Sequence, residues 1–198
     1  MTILDRILLL FTGLLAAYQV AVGIDGLSTL PIIAYTIAFG VLLVAGLILI
    51  ILGFETLDSP IVVIISTIIP LSLSLGLVWE HLPHWQNSYL VFAMIGFLAI
   101  ILTRLITKGK LATIVLAIVH GIAGMIIFLL PIILSLSGLT NPGFALVGVG
   151  GALIGLGGLL LSFLKAGKPV LSRDTILKIL PGLLFLMTSA SVTGFALG

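Results

Sequence analysis

The chain has 198 residues, of which 61% are hydrophobic and only 7% are charged. Soluble domains carry about 25% charged residues, so this composition excludes a protein that clothes itself in water. The absence of cysteine excludes thiol chemistry, disulfides and iron–sulfur ligation, and a net charge of +2 gives no reason to expect a nucleic-acid partner.

Seven apolar runs reach the roughly 20 residues of helix that cross a bilayer. They lack the alternation of a membrane barrel, so helices, which satisfy their own backbone groups in oil, are expected throughout. The first run, residues 3–24, is too long for a signal-peptide core and no small-residue cleavage site follows it, so it is expected to be retained. It holds Arg6 near its start, and Thr12 and Gln19 two turns apart. Asp25 follows, and Thr29 and Pro31 lead into the second run, 31–54. Glu55 and Asp58 lie in the next link.

The third run, 60–79, places Ser66, Pro70 and Ser74 on one face, and Pro70 removes a backbone donor and kinks the helix. The link 80–85 contains Glu80, His81 and His84, which are competent metal ligands with Asp25 on the same side. Their spacing matches no specific site, so a solvated loop is the simpler reading and no metal or cofactor is expected. The fourth run, 88–106, ends near Arg104, followed by Lys108 and Lys110. The fifth, 111–135, contains His120, the one ionisable side chain inside an apolar span, beside Ala117, Gly121 and Gly124. It reads first as a structural histidine bonded between helices, and second as a polar contact in a cavity or an axial ligand to a haem or chlorin. Pro131 kinks this helix.

The sixth run, 144–164, carries Gly148, Gly150, Gly151, Gly155, Gly157 and Gly158. Gly151 and Gly155 form G-x-x-x-G, and the pairs Gly148–Ala152 and Gly158–Ser162 extend the small-residue spacing. Such a face permits close packing inside one molecule or contact with a second copy or another membrane protein. Lys165, Lys168 and Arg173 form the next link, where they share a side with Glu55 and Asp58 and can pair with them. The seventh run, 175–197, contains Lys178 near its start, then Pro181, Thr188, Ser189 and Val192.

Seven crossings place all eight Lys and Arg residues on the side of the N-terminus. Positive loops stay cytoplasmic, so the expected topology has the N-terminus inside and the C-terminus on the opposite side, with a basic rim against anionic lipid headgroups. Every Trp and Tyr (Tyr18, Tyr35, Trp79, Trp85, Tyr89) falls in the outer half, which is expected as an interfacial aromatic belt.

Sliding the sequence over itself by 111 residues aligns Pro31 with Pro142 and Pro70 with Pro181. The same shift pairs Gly13, Gly40 and Gly46 with Gly124, Gly151 and Gly157. It maps the first three runs onto the last three in the same direction, which predicts a parallel repeat. The expected fold is therefore an all-α, polytopic seven-transmembrane-helix bundle in a single membrane domain, 1–198. Its parts are a repeat over 1–87, a connector over 88–110 and a second repeat over 111–198. This plan resembles that of SWEET-type sugar transporters and, superficially, of trimeric intracellular cation channels, in helix count and repeat orientation alone. The resemblance transfers no functional position. A retinal protein is disfavoured, because Lys178 lies near the inner end and not in the middle of the last run.

No nucleophile–base pair, metal cluster or phosphate loop is visible, so an enzyme is not expected. The first functional expectation is a transporter or channel-like protein for a neutral or weakly polar solute. Its candidate cavity is formed by Gln19, Ser66, Pro70, Ser74, His120, Pro181, Thr188 and Ser189. The competing expectation is a scaffold subunit of a membrane complex that binds lipid, quinone or pigment.

Overall fold

Local chemistry sets the helix ends. The first helix, α1 (Ile3–Val22), opens on a capping box: the Thr2 hydroxyl accepts from the Asp5 N–H, and the Asp5 carboxylate accepts from the Thr2 N–H at 2.6 Å. It closes at Gly23, whose φ of +74° suits glycine, so the helix stops just short of the run's apolar end. Gly53 ends α2 (Thr29–Leu52) in the same way, with φ +80°. Pro60 starts α3 (Pro60–His81) at a position where its missing N–H costs nothing. A 3₁₀ turn, Pro83–Trp85, leads into α4 (Gln86–Ile106). There follow α5 (Lys110–Leu136), α6 (Ala145–Lys165) and α7 (Arg173–Leu197). The Ser172 hydroxyl caps α7 by accepting from the Thr175 N–H at 3.1 Å.

This computed structural model describes residues 1–106, 110–165 and 170–198. Two of the basic residues that carry the topology argument, Lys108 and Lys168, lie outside the described residues, as do the side chains of Ser162 and Lys165. All seven helices are long and apolar enough to cross a membrane, and no strand occurs among the described residues. The shortest spans 20 residues, about 30 Å at 1.5 Å per residue, which matches the hydrocarbon thickness.

Three contacts sort the links to two ends. Asp58 pairs with Arg173 at 2.9 Å, joining the link before α3 to the start of α7. At the other end the Ser28 hydroxyl meets the Glu80 carboxylate at 3.5 Å, and the Asn141 amide donates to the Gly198 carbonyl at 3.1 Å. The first is called the basic end below, the second the far end.

Six helices close a ring in the order α1, α2, α3, α5, α6, α7, with α7 returning to α1. The remaining helix, α4, packs against α3 and α5 beside the ring. Toward the far end the ring is filled by Tyr35, Phe39, Phe144 and Phe195. The Tyr35 and Phe195 rings lie 4.7 Å apart, and Phe195 meets Phe39 and Phe144 at 6.2 and 6.0 Å, within the range of aromatic pairing. Tyr35 and Tyr89 are therefore core residues, 4% and 8% exposed, and not part of an interfacial belt; Tyr18 and Trp85 remain exposed. The reason is partner availability. Gly76 on α3 leaves room for the Tyr35 ring, and Ser74 on the same helix accepts from the Tyr89 hydroxyl at 2.7 Å.

The glycines of α6 divide between its neighbours. A Cβ at Gly148 would lie 2.6 Å from the Phe128 carbonyl oxygen, and one at Gly151 would lie 2.7 Å from the Ile127 backbone. Both glycines admit the α5 backbone at close range. Gly151 is thus packed inside the molecule, whereas Gly155 has nothing within 4 Å of a Cβ.

Candidate functional site

Below the aromatic core, toward the basic end, the helices line a partly open cavity of about 240 Å³. All seven helices contribute to its wall. Thr12 comes from α1, Leu42, Gly46 and Leu49 from α2, and Ser66 and Ile69 from α3. Arg104 reaches in from α4, Leu116 and His120 from α5, Leu161 from α6, and Leu180 and Leu184 from α7. Thr56 and Leu57, in the 3₁₀ turn Phe54–Asp58, line it at the basic end. His120 lies ten residues into α5, so about 15 Å of helix separates it from the basic end. The cavity therefore runs from the rim to about half the depth of the hydrocarbon.

Its wall is mainly aliphatic, and most of its hydroxyls are engaged. Thr12 donates to the Leu8 carbonyl at 2.9 Å, Ser66 to Val63 at 3.0 Å and Thr56 to Gly53 at 2.8 Å. Pro70 has no N–H for the carbonyl of Ser66, which keeps an acceptor beside the cavity. Two donor-type nitrogens stand apart. Arg104 Nε and His120 Nδ1 are shielded from solvent and have no hydrogen-bond partner. Arg104 lies within electrostatic reach of His120, and the Leu116 carbonyl is close to the imidazole without hydrogen-bonding to Nδ1.

A second hollow of about 200 Å³ lies at the basic end, lined by Phe54, Leu57, Asp58, Leu161, Leu164, Arg173 and Leu177. Leu57 and Leu161 belong to both walls, so they form the partition between the two spaces. The Asp58–Arg173 pair sits at this outer hollow and ties the α2–α3 link to α7. Its side chains are 51% and 66% exposed for Arg173 and Asp58, so it contributes only about 0–1 kcal/mol.

Of the eight candidate cavity residues named from the sequence, Ser66 and His120 meet in the main cavity, where Thr12 joins them. The others lie apart from its wall. Gln19 donates to the Gly23 carbonyl at 2.8 Å and closes the end of α1. Ser74 donates to the Pro70 carbonyl at 2.6 Å, Thr188 to Leu184 at 2.7 Å and Ser189 to Phe185 at 2.8 Å. These hydroxyls bond back to their own helices, the usual outcome for Ser and Thr in an apolar span. Pro70 and Pro181 are buried inside α3 and α7. Arg104 is the site residue that sequence reasoning missed, because an arginine near a helix end reads first as a side chain snorkelling to the headgroups.

At the far end, the His81 ring meets Phe144 at a tilt, with ring centroids 5.3 Å apart, while His84 and Trp85 are exposed. Among the described residues no three His, Cys, Asp or Glu side chains come together as metal ligands. Comparison with protein families, with curated proteins and with solved structures returns no match to this chain.

Proposed function

We propose that this protein is a membrane carrier for a small, mostly apolar molecule that enters the cavity from the basic end. The observation that carries this reading is the cavity itself. It lies where α1–α3 meet α5–α7, is aliphatic in most of its wall, and is closed toward the far end by the Tyr35–Phe39–Phe144–Phe195 core. The molecule is more apolar than the weakly polar solute that the sequence suggests, because Ser74, Thr188 and Ser189 direct their hydroxyl protons to their own carbonyls.

The parallel 3+1+3 repeat belongs to this proposal. It is supported by neighbour relations that come in pairs: α1–α2 with α5–α6, α2–α3 with α6–α7, and α3–α5 with α7–α1. A two-fold axis along the membrane normal relates such pairs, and rocking of the two halves about the cavity gives alternating access. The placement of Lys and Arg makes the basic end cytoplasmic.

Reconstitution into liposomes tests the reading against a panel of small apolar and weakly polar solutes. Saturable flux above that of empty vesicles is expected. A second reading, a scaffold subunit that holds a lipid, quinone or pigment, draws on the same cavity and its closed far end. It predicts stable binding with flux no higher than in empty vesicles.

A further inference from the structure

We infer that the cavity takes a single-chain amphiphile with a monoanionic oxygen headgroup, a medium-chain carboxylate being the simplest, and that Arg104 and His120 bind the headgroup. The inference rests on the carrier reading only for the location of the ligand. A guanidinium is permanently charged and is matched in shape by a carboxylate, which it can grip through two parallel hydrogen bonds. Arg104 Nε is sealed from solvent and unpaired. Arg104 as a whole is half-buried, but an unpaired donor atom that is itself buried costs about 1–3 kcal/mol.

The protein does not supply the missing anion. Among the described residues Asp58 is paired with Arg173, Asp5 is engaged at the Thr2 cap, Glu80 lies at the far end beside Ser28, and Asp25, Glu55 and Asp174 do not belong to the cavity wall. Among the described residues no carboxylate and no second Lys or Arg lines the cavity, so Arg104 faces an aliphatic space without a counter-charge there. His120 Nδ1, also sealed and unpaired, gives a second polar contact within electrostatic reach of the first.

The rest of the site selects the body of the ligand. Leu42, Leu49, Ile69, Leu116, Leu180 and Leu184 offer an apolar molecule contact and no hydrogen bonds. At about 30 Å³ per water-sized group, a volume of 240 Å³ holds about eight heavy atoms, the carbon chain of an eight-carbon acid. That fits one short chain and is too small for the two acyl chains of a phospholipid. Among the described residues Arg104 is the one permanent positive charge in the wall, which matches a monoanion.

The test uses the full chain in phosphatidylcholine nanodiscs, titrated calorimetrically with octanoate and, separately, with 1-octanol, empty nanodiscs being subtracted. Octanoate is expected to bind at least tenfold more tightly than octanol. Arg104→Gln should abolish that preference, while Arg104→Lys should keep part of it. His120→Leu should weaken octanoate several-fold. Equal affinity for the acid and the alcohol in the unaltered protein overturns the inference while leaving the cavity as a binding site, and requires no variant to fold. A phospholipid that co-purifies stoichiometrically and is lost in Arg104→Gln also overturns it, because the guanidinium then serves a bilayer headgroup. Binding of neither probe overturns the carrier reading as well.

Discussion

Ser74 holds two roles at once. Its hydroxyl donates to the Pro70 carbonyl and accepts from Tyr89, so it satisfies a carbonyl on its own helix and a phenol on the connector. Tyr89→Phe removes one donor and leaves Ser74 bonded to Pro70, and should cost about 0.5–1 kcal/mol, in line with hydrogen bonds measured between membrane helices. Ser74→Ala strands a buried phenol and should cost more, about 1–3 kcal/mol. Unfolding of both single variants and of the double variant in mixed micelles checks the ordering. The double variant should cost no more than Ser74→Ala alone. The sequence identifies Ser74 as a polar residue in an apolar helix but gives no hint of Tyr89 as its partner. Which side chains meet depends on how α4 is rotated against α3, and helices that are apolar on all sides carry little signal for rotation. Arg104 shows the same gap: its charge and depth are legible, its inward direction is not.

In α6 the small residues have unequal duties. Gly151 abuts the α5 backbone, which cannot give way as the end of a flexible side chain can. Gly151→Ala should therefore destabilise the protein by about 1–3 kcal/mol through overpacking. Gly155→Ala has open space around it and should be neutral or stabilising by up to about 1 kcal/mol, since alanine favours helix over glycine. Thermal unfolding of the two variants should move in opposite directions or differ by several degrees. Equal losses would mean that Gly155 meets a partner beyond this chain. The G-x-x-x-G spacing reports close packing faithfully, but it does not say against which helix, because Gly148 and Gly151 serve α5 while Gly150 and Gly157 face α7.

For the molecule as a whole, thickness and charge were the legible quantities. Seven runs near 20 residues became seven helices because oil leaves the backbone no other partner. The ring order and the place of α4 beside it were not legible, since they depend on side-chain fit between surfaces of similar polarity. The proposed sidedness rests on charge alone: on that proposal, tags on the two chain ends should be reached from opposite faces of the membrane, the N-terminal one from the cytoplasm.

Motion of the halves is best tested at Asp58 and Arg173, which connect the α2–α3 link to α7 at the basic end. Their exposed pairing, about 0–1 kcal/mol, shifts an opening equilibrium by no more than roughly fivefold, so Asp58→Asn should change transport little. A covalent bond at the same place is different in kind. The chain has no native cysteine, so Asp58→Cys with Arg173→Cys introduces the only two thiols. Joined by a short reducible cross-linker, they hold the α2–α3 link against α7 whatever the ligand does. On the carrier reading, cross-linked protein should lose at least nine-tenths of its flux and regain it on reduction, and each single-cysteine control should be unaffected. Undiminished flux would mean that access does not require these two segments to separate, and the rocking of one half against the other would have to be abandoned.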